Sequence, residues 1–399
     1  MVFVRRLDLL RSAAMVVLAT GLVACAPAHD EQGPDEAEAA PRSPSMTPSA
    51  APTPDPTPTQ ASRAERARAL VNAMSPRERA ATVVMGHAAG TDPSALARAL
   101  HAGPQNLILM GDNIAADAHQ QRALVEDLAA AADPAPLIGI DQEGGDVARL
   151  PWDDAPSARD LKGADPAAVS DAFVARARQL HEAGITANFG IVADVPRGDA
   201  SFIFSRAYGT DPAQVARAVG GAVDGEHGRV LSTLKHFPGH GAAEGDSHSS
   251  IPTTDMSFDE WRSGDAVPFE AGIDAGAELV MMGHLRFTAV DERPASLSPE
   301  WYRVLREELG FDGVAVTDDL GMLGSTGDPA YADPAANAVA ALGAGADLVL
   351  TIAGSTPESQ AATVDQIAAA AQNGELPADR LGEAAGRVLA LRLAADPGE

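Results

Sequence analysis

Eight short apolar runs, set apart by stretches of helical periodicity, constrain this chain more than any other feature. They fall at residues 82–85, 106–110, 136–140, 187–192, 231–234, 278–282, 313–317 and 346–350. Each is a continuous apolar run rather than an alternation, the pattern of strands buried on both faces. The stretches between them, such as 213–223 and 300–309, repeat apolar residues at helical spacing. Strands alternating with helices predict a parallel sheet, and eight such units predict an α/β fold of the (β/α)8 TIM-barrel type, one domain over residues 63–397. A doubly wound open sheet would need a Gly-rich phosphate turn after the first strand, and no G-x-G-x-x-G follows it. The chain stops soon after the eighth helical stretch, so no second domain is expected.

The first sixty residues belong to a different class of polypeptide. Arg5, Arg6 and Arg11 precede an apolar run at 13–19 that is too short to span a bilayer, and it closes on Leu22-Val23-Ala24-Cys25. Cys25 is the one cysteine, so no intrachain disulfide is possible. A sole cysteine after small residues at the end of a signal h-region resembles the bacterial lipobox. That resemblance implies a signal peptide over 1–24 and lipidation of Cys25. Residues 25–62 are rich in Pro, Ser and Thr and read as an extended stalk without a core. The expected location is therefore extracytoplasmic, at the cell membrane through a lipid anchor or secreted. The formal charge is −27, with 29 Lys and Arg against 56 Asp and Glu, which excludes a nucleic-acid partner that binds by counterion release. A monomer acting on a small ligand is expected.

Polar groups collect where the apolar runs end. Asp141-Gln142-Glu143-Gly144-Gly145 follows the third, Asp194 the fourth, Lys235-His236 the fifth, His284 the sixth and Asp318-Asp319 the seventh. In a barrel all strand C-termini open on one face, so these groups converge. Asp246 and His248, two apart in a loop, are placed to hydrogen-bond if that loop is extended. A carboxylate on one imidazole nitrogen fixes the tautomer and makes a proton donor and acceptor suited to neutral pH. Of the adjacent Asp318 and Asp319, one is expected to turn away toward backbone or a cation. Arg149, Arg206, Lys235, His236 and Asp141 form a set able to bind the hydroxyls of a polar ligand. His236, His240 and His248 do not read as a metal site, because Pro238 and Gly239 break the helix that usually presents such a pair. No cofactor is called for. Aromatic content of 4% disfavours a long stacking cleft and favours a compact pocket.

These residues resemble the catalytic barrel of glycoside hydrolase family 3, in its bacterial β-N-acetylglucosaminidase branch, over about residues 66–355. The motifs are Asp141-Gln142-Glu143-Gly144-Gly145 with Arg149-Leu150, Arg206 with Gly209-Thr210-Asp211-Pro212, and Lys235-His236-Phe237-Pro238-Gly239-His240-Gly241. Asp246-Ser247-His248, His284, Pro294-Ala295-Ser296-Leu297-Ser298 and Thr317-Asp318-Asp319-Leu320-Gly321-Met322 complete them. The resemblance implies that Asp318 is a nucleophile forming a glycosyl-enzyme, and that His248, paired with Asp246, is the acid/base. It also implies that Asp141, Arg149, Arg206, Lys235 and His236 hold the sugar. The implied activity is exo-acting, retaining release of terminal β-linked N-acetylglucosamine from muropeptides or chitooligosaccharides. The alternatives are a phosphorylase or a β-glucosidase on the same barrel, and a non-catalytic sugar-binding lipoprotein. The chain departs from the family pattern at Asp146, where Arg is frequent, and at Ala242-Ala243-Glu244, where Asp-Thr is frequent.

Overall fold

The computed structural model describes residues 60–395. The signal segment, Cys25 and all but the last residues of the Pro-rich stretch lie outside the described residues. The first helix begins inside the expected stalk and runs Gln60–Ala73.

Eight parallel strands close into a barrel, each paired with its sequence neighbour and the last with the first. They are β1 (Val84–Gly86), β2 (Asn106–Leu109), β3 (Ile138–Ile140), β4 (Ala187–Val192), β5 (Leu231–Phe237), β6 (Leu279–Met282), β7 (Val314–Asp319) and β8 (Leu348–Thr351). The eight apolar runs are thus the eight staves. Alternate residues divide between two cores, as the pleat requires. Met85, Phe189, Leu279, Met281, Val314, Val316, Leu348 and Leu350 share one cluster, which fills the barrel. Their strand neighbours Val84, Val280, Ala315 and Val349 belong to the layer under the helices.

The helices start by a repeated local device. Asp92, Asp165, Asp211 and Asp333 each precede a proline, and each side chain accepts a backbone N–H of the first turn. The aspartate satisfies an orphan donor and the proline fixes the first helical φ.

Three expectations need correction. β5 and β7 extend past the apolar runs 231–234 and 313–317, so Lys235, His236, Asp318 and Asp319 belong to the strands themselves rather than following them. The ladder persists because these polar side chains have partners of their own, while their backbones stay paired: Ala193 N–H donates to Lys235 O at 2.7 Å, and Gly283 N–H to Phe237 O at 2.8 Å. The stretch 300–309 is not one regular helix. It is a short α-helix, Pro299–Arg303, followed by a wide turn, Val304–Glu308. There Arg306 reaches the carbonyls of Phe311 and Gly313, both at 2.7 Å. Finally, the Asp246 loop is a turn, not an extended segment, as described below.

Candidate active site

A packed aromatic cluster fixes the loop after β5. Phe237, the last residue of the strand, is buried edge-to-face against Trp261, Phe269 and Trp301, with ring centroids 5.2–5.9 Å apart. Such contacts add about 0.5–1.5 kcal/mol each beyond area burial. Trp261 Nε1 donates to Pro238 O at 2.8 Å, which ties the turn to the same cluster. At Gly241 a Cβ would meet Val195 O at 2.1 Å, so only glycine lets the loop lie against the segment that follows β4.

Behind this loop sits buried Asp194. It accepts the backbone N–H groups of His236 (3.1 Å) and His240, and the His236 ring at Nδ1 (2.8 Å). Burial nevertheless pushes the Asp194 carboxyl up to about 6, against the pull of His240 and these hydrogen bonds. His236 Nε2 lies 3.4 Å from Arg206, so the ring carries its proton on Nδ1 and receives the guanidinium on the other nitrogen. Burial, then Arg206, push this imidazole well below its ordinary range and keep it neutral.

The turn after β3 supplies two carboxylates. Asp141 accepts Lys235 Nζ at 2.7 Å and faces Arg149 at 3.9 Å. Glu143 takes Arg206 in a two-pronged bond, 2.6 and 2.9 Å, and Lys235 at 2.7 Å. Burial works against its charge, but Lys235 and Arg206 hold it down to about 2. Lys235 in turn is raised, the two carboxylates outweighing its own burial. The turn's shape depends on Gly144, at φ +84°, where a Cβ would meet Arg176 at 2.4 Å. Arg176 is itself fully buried and paired with Asp153 at 2.8 Å beneath the turn.

At the end of β7 the two adjacent aspartates part ways. Asp319 caps helix Leu320–Ser325 and accepts Gly321 N–H (3.0 Å), Ile352 N–H (2.8 Å) and Ala353 N–H (2.8 Å). It turns to backbone. Asp318 keeps only the N–H of Asp319, at 2.8 Å on Oδ1. Burial opposes its ionisation, yet His284, that N–H and Lys235 together hold the carboxyl below its usual range. His284 is fixed between Ser296 (2.7 Å) and the carbonyl of Asp319 (2.9 Å).

The Asp246–His248 pair is present, in a different geometry from the one expected. Ser249 and Ser250 N–H both return to Asp246 O, at 3.2 and 3.1 Å, so the segment is a turn. Asp246 Oδ1 accepts both the backbone N–H of His248 (2.9 Å) and its Nδ1 (2.6 Å). This local cap replaces the i, i+2 reach of an extended strand. His248 is 61% exposed at its side chain, and its Nε2 points to no partner among the described residues. Between the two loops, buried His240 bonds Ser247 at 3.1 Å. Imidazole and phenyl rings continue the line from His236 through His240 and Phe202 to His248. His248 makes no hydrogen bond to Asp318.

The structure thus gathers Asp141, Arg149, Arg206, Lys235 and His236 into one network beside Asp318, with the His248–Asp246 pair on a loop linked to it. Glu143 is the member that sequence reasoning passed over. Its signal was a carboxylate between a strand end and two glycines. Of the departures noted, Asp146 has its charge paired with Arg159 at 2.6 Å on the surface. No group of three or more acidic, His or Cys side chains among the described residues is arranged to hold a metal.

A (β/α)8 barrel with its charged residues gathered at the C-terminal ends of the strands defines the class. Within it, residues 94–391 match the Glycosyl hydrolase family 3 N terminal domain, and the chain belongs to that family. It is 40% identical over 220 residues to a beta-hexosaminidase of Stenotrophomonas maltophilia, covering 51% of this chain and 65% of that protein. It therefore spans less than two thirds of that relative's length. Identity to a beta-hexosaminidase of Methylococcus capsulatus is 34% over 279 residues, 67% of this chain and 80% of the other. Among solved structures, the glycoside hydrolase family 3 beta-N-acetylglucosaminidase of Paenibacillus sp. str. FPU-7 superposes with a TM-score of 0.75 at 32% identity, covering 81% of this chain and 63% of that one. A beta-N-acetylhexosaminidase of Beutenbergia cavernae gives 0.71 at 32%, covering 80% and 98%.

Proposed function

We propose that this protein is a retaining exo-β-N-acetylglucosaminidase that removes terminal N-acetylglucosamine from cell-wall muropeptides or chitooligosaccharides. The observation that carries the reading is the contrast at the end of β7. Asp319 spends its oxygens on three backbone donors, while Asp318 keeps a charged carboxylate with one. Hexosaminidase relatives at 34–40% identity supply the sugar class.

In this reading Asp318 attacks the anomeric carbon as the bond to the leaving oxygen breaks, and His248 gives that oxygen its Nε2 proton. Asp246 holds Nδ1–H and stabilises the ring while it is charged. Water then gives a proton back to His248 as its oxygen takes the anomeric carbon from Asp318. Asp141, Arg149, Arg206, Lys235 and His236 bind the sugar hydroxyls and the N-acetyl group. Their mutual bonds preorganise them, so little is reordered when the sugar arrives.

The test is a fluorinated slow substrate followed by peptide mapping. The expected label is on the peptide containing Asp318, and a label on any other residue overturns the assignment. Chromogenic N-acetylglucosaminide and glucoside, each with and without phosphate, report the sugar and the acceptor. An imidazole in place of a second carboxylate does not repel an anionic acceptor, so a rate that climbs with phosphate would reassign the enzyme as a phosphorylase.

The N-terminal segment completes the proposal: cleavage before Cys25, lipidation of its sulfur, and attachment outside the cytoplasm through a Pro-rich stalk. No helix among the described residues is long and apolar enough to cross a membrane. Loss of membrane-fraction activity in Cys25→Ala is the expected result, and retention there would remove the anchor.

A further inference from the structure

Two large apolar side chains are left exposed among the described residues, Val174 and Phe202. Val174 lies on an outer helix, Pro166–Glu182. Phe202 stands at the mouth of the barrel, in the segment after β4 and just before the turn Phe204–Arg206. It is 39% exposed.

The ring does not hang free. It meets the buried His240 ring at 5.5 Å, tilted by 37°, and the exposed His248 ring at 6.0 Å, nearly edge-on. Ile203 beside it is buried, and the carbonyl of Phe204 accepts Lys162 Nζ at 2.6 Å, so its backbone is held on one side. An anchored aromatic at a polar mouth leaves apolar area in water unless a ligand covers it. What covers it is set by its neighbour. If His248 protonates the departing oxygen, whatever is bonded to that oxygen lies on the His248 side of the scissile bond. Asp318 and the Asp141–Lys235–Glu143–Arg206 cluster hold the other side.

We propose that Phe202 is the leaving-group platform of this site: its ring stacks on the apolar C–H face of the pyranose attached to the departing oxygen. The site therefore favours a glycan, with a second sugar ring, over the glycoside of a small alcohol. This rests on the reading of His248 as the acid/base and adds the residue that holds the aglycone, which neither the barrel nor the polar cluster specifies.

The experiment compares kcat/KM for N,N′-diacetylchitobiose with that for methyl β-N-acetylglucosaminide, in the full chain. Phe202→Ala should lower the ratio of the two about three- to tenfold, the worth of one aromatic contact. Phe202→Leu, which keeps bulk without the π-face, should lower it similarly, and Phe202→Trp should preserve it. An unchanged ratio in Phe202→Ala overturns the platform, including the case where both substrates lose rate equally because the ring merely steadies His248. A wild-type protein that cleaves neither substrate overturns the parent reading along with it, and is told apart by its failure before any substitution is made.

Discussion

The two ends of the barrel handle buried charge in opposite ways. At the N-terminal end, Asp347 precedes β8 and is wholly buried. It accepts Arg380 at 2.7 Å, Arg387 at 3.2 Å, Arg306 at 2.5 Å and the Ala315 N–H at 3.1 Å. Arg380 and Arg306 also cap nearby carbonyls, so every group there has its partner in the fold. At the C-terminal end, the same chemistry of acids and cations is arranged with capacity left over. Glu143 is consumed by Arg206 and Lys235, but Asp318 retains one carboxylate oxygen without a hydrogen bond and His248 a free Nε2. A buried ion cluster is therefore no sign of chemistry by itself. What separates the ends is whether any member is left incompletely bonded.

The contrast breaks most sharply at Asp318. Asp318→Asn keeps the acceptor for Asp319 N–H and removes the proposed nucleophile, so turnover of an N-acetylglucosaminide should fall by about 10⁴-fold or more, with thermal unfolding within a few degrees of wild type. Retained turnover would move the nucleophile elsewhere. His248→Ala comes next. It should cost about 10²–10⁴-fold on substrates whose leaving group needs a proton, and much less on a dinitrophenyl glycoside. Equal losses on both would show that the imidazole positions the loop and does not transfer a proton.

How far the sequence foretold this site depends on where each residue's partners lie. The barrel was legible because each strand carries a short, largely apolar run, and the pleat acts within a few residues. Asp318, Lys235 and His236 were legible because they sit directly at strand ends. Glu143 was not, since its meaning comes from Arg206, 63 residues away, and a carboxylate in a glycine turn has many local explanations. Asp194 was seen as a strand-end charge, but its service to the backbone of the β5 loop needed coordinates. Phe202 had no signal, because one apolar residue in an irregular segment belongs to no period. The shape of the Asp246 turn was misjudged for a similar reason: spacing of two fits both an extended strand and a side-chain-capped turn.

Asp347 tests the other end. Asp347→Asn leaves Arg306, Arg380 and Arg387 facing one another without their shared anion, and breaking a buried pair of this kind costs about 3–5 kcal/mol. The melting temperature should drop on the order of 10 °C. The kcat of the remaining folded enzyme should not change. A loss of kcat at full stability would mean that the two ends communicate and that the division drawn above is false.

Glu226 sharpens the comparison from a third position, because it is buried with no ion pair among the described residues. Its Oε1 accepts Asn188 Nδ2 at 2.6 Å, and Asn188 in turn accepts the Gln142 N–H at 3.1 Å behind the β3 turn. Burial pushes the carboxyl up to about 8, more than the Asn188 bond pulls it down. The unfolded chain releases this proton near the ordinary value of 4.5, so below that pH both states are protonated and nothing is lost. Between 4.5 and about 8 the native state holds a proton that the unfolded state has given up, and stability falls as pH rises through that window. Above it both states are ionised and the penalty is constant. Glu226→Gln is neutral at every pH and keeps an acceptor for Asn188. It should therefore unfold a few degrees above wild type at pH 8, about 1–3 kcal/mol, with the gap closing by pH 5. Asp194 and Asp265, both raised to about 6, slope the curve in the two proteins alike and cancel in the difference. A gap of the same size at both pH values would mean that Glu226 is already charged in the native state, and that the fold tolerates a second buried carboxylate without an ion pair, in addition to Asp318.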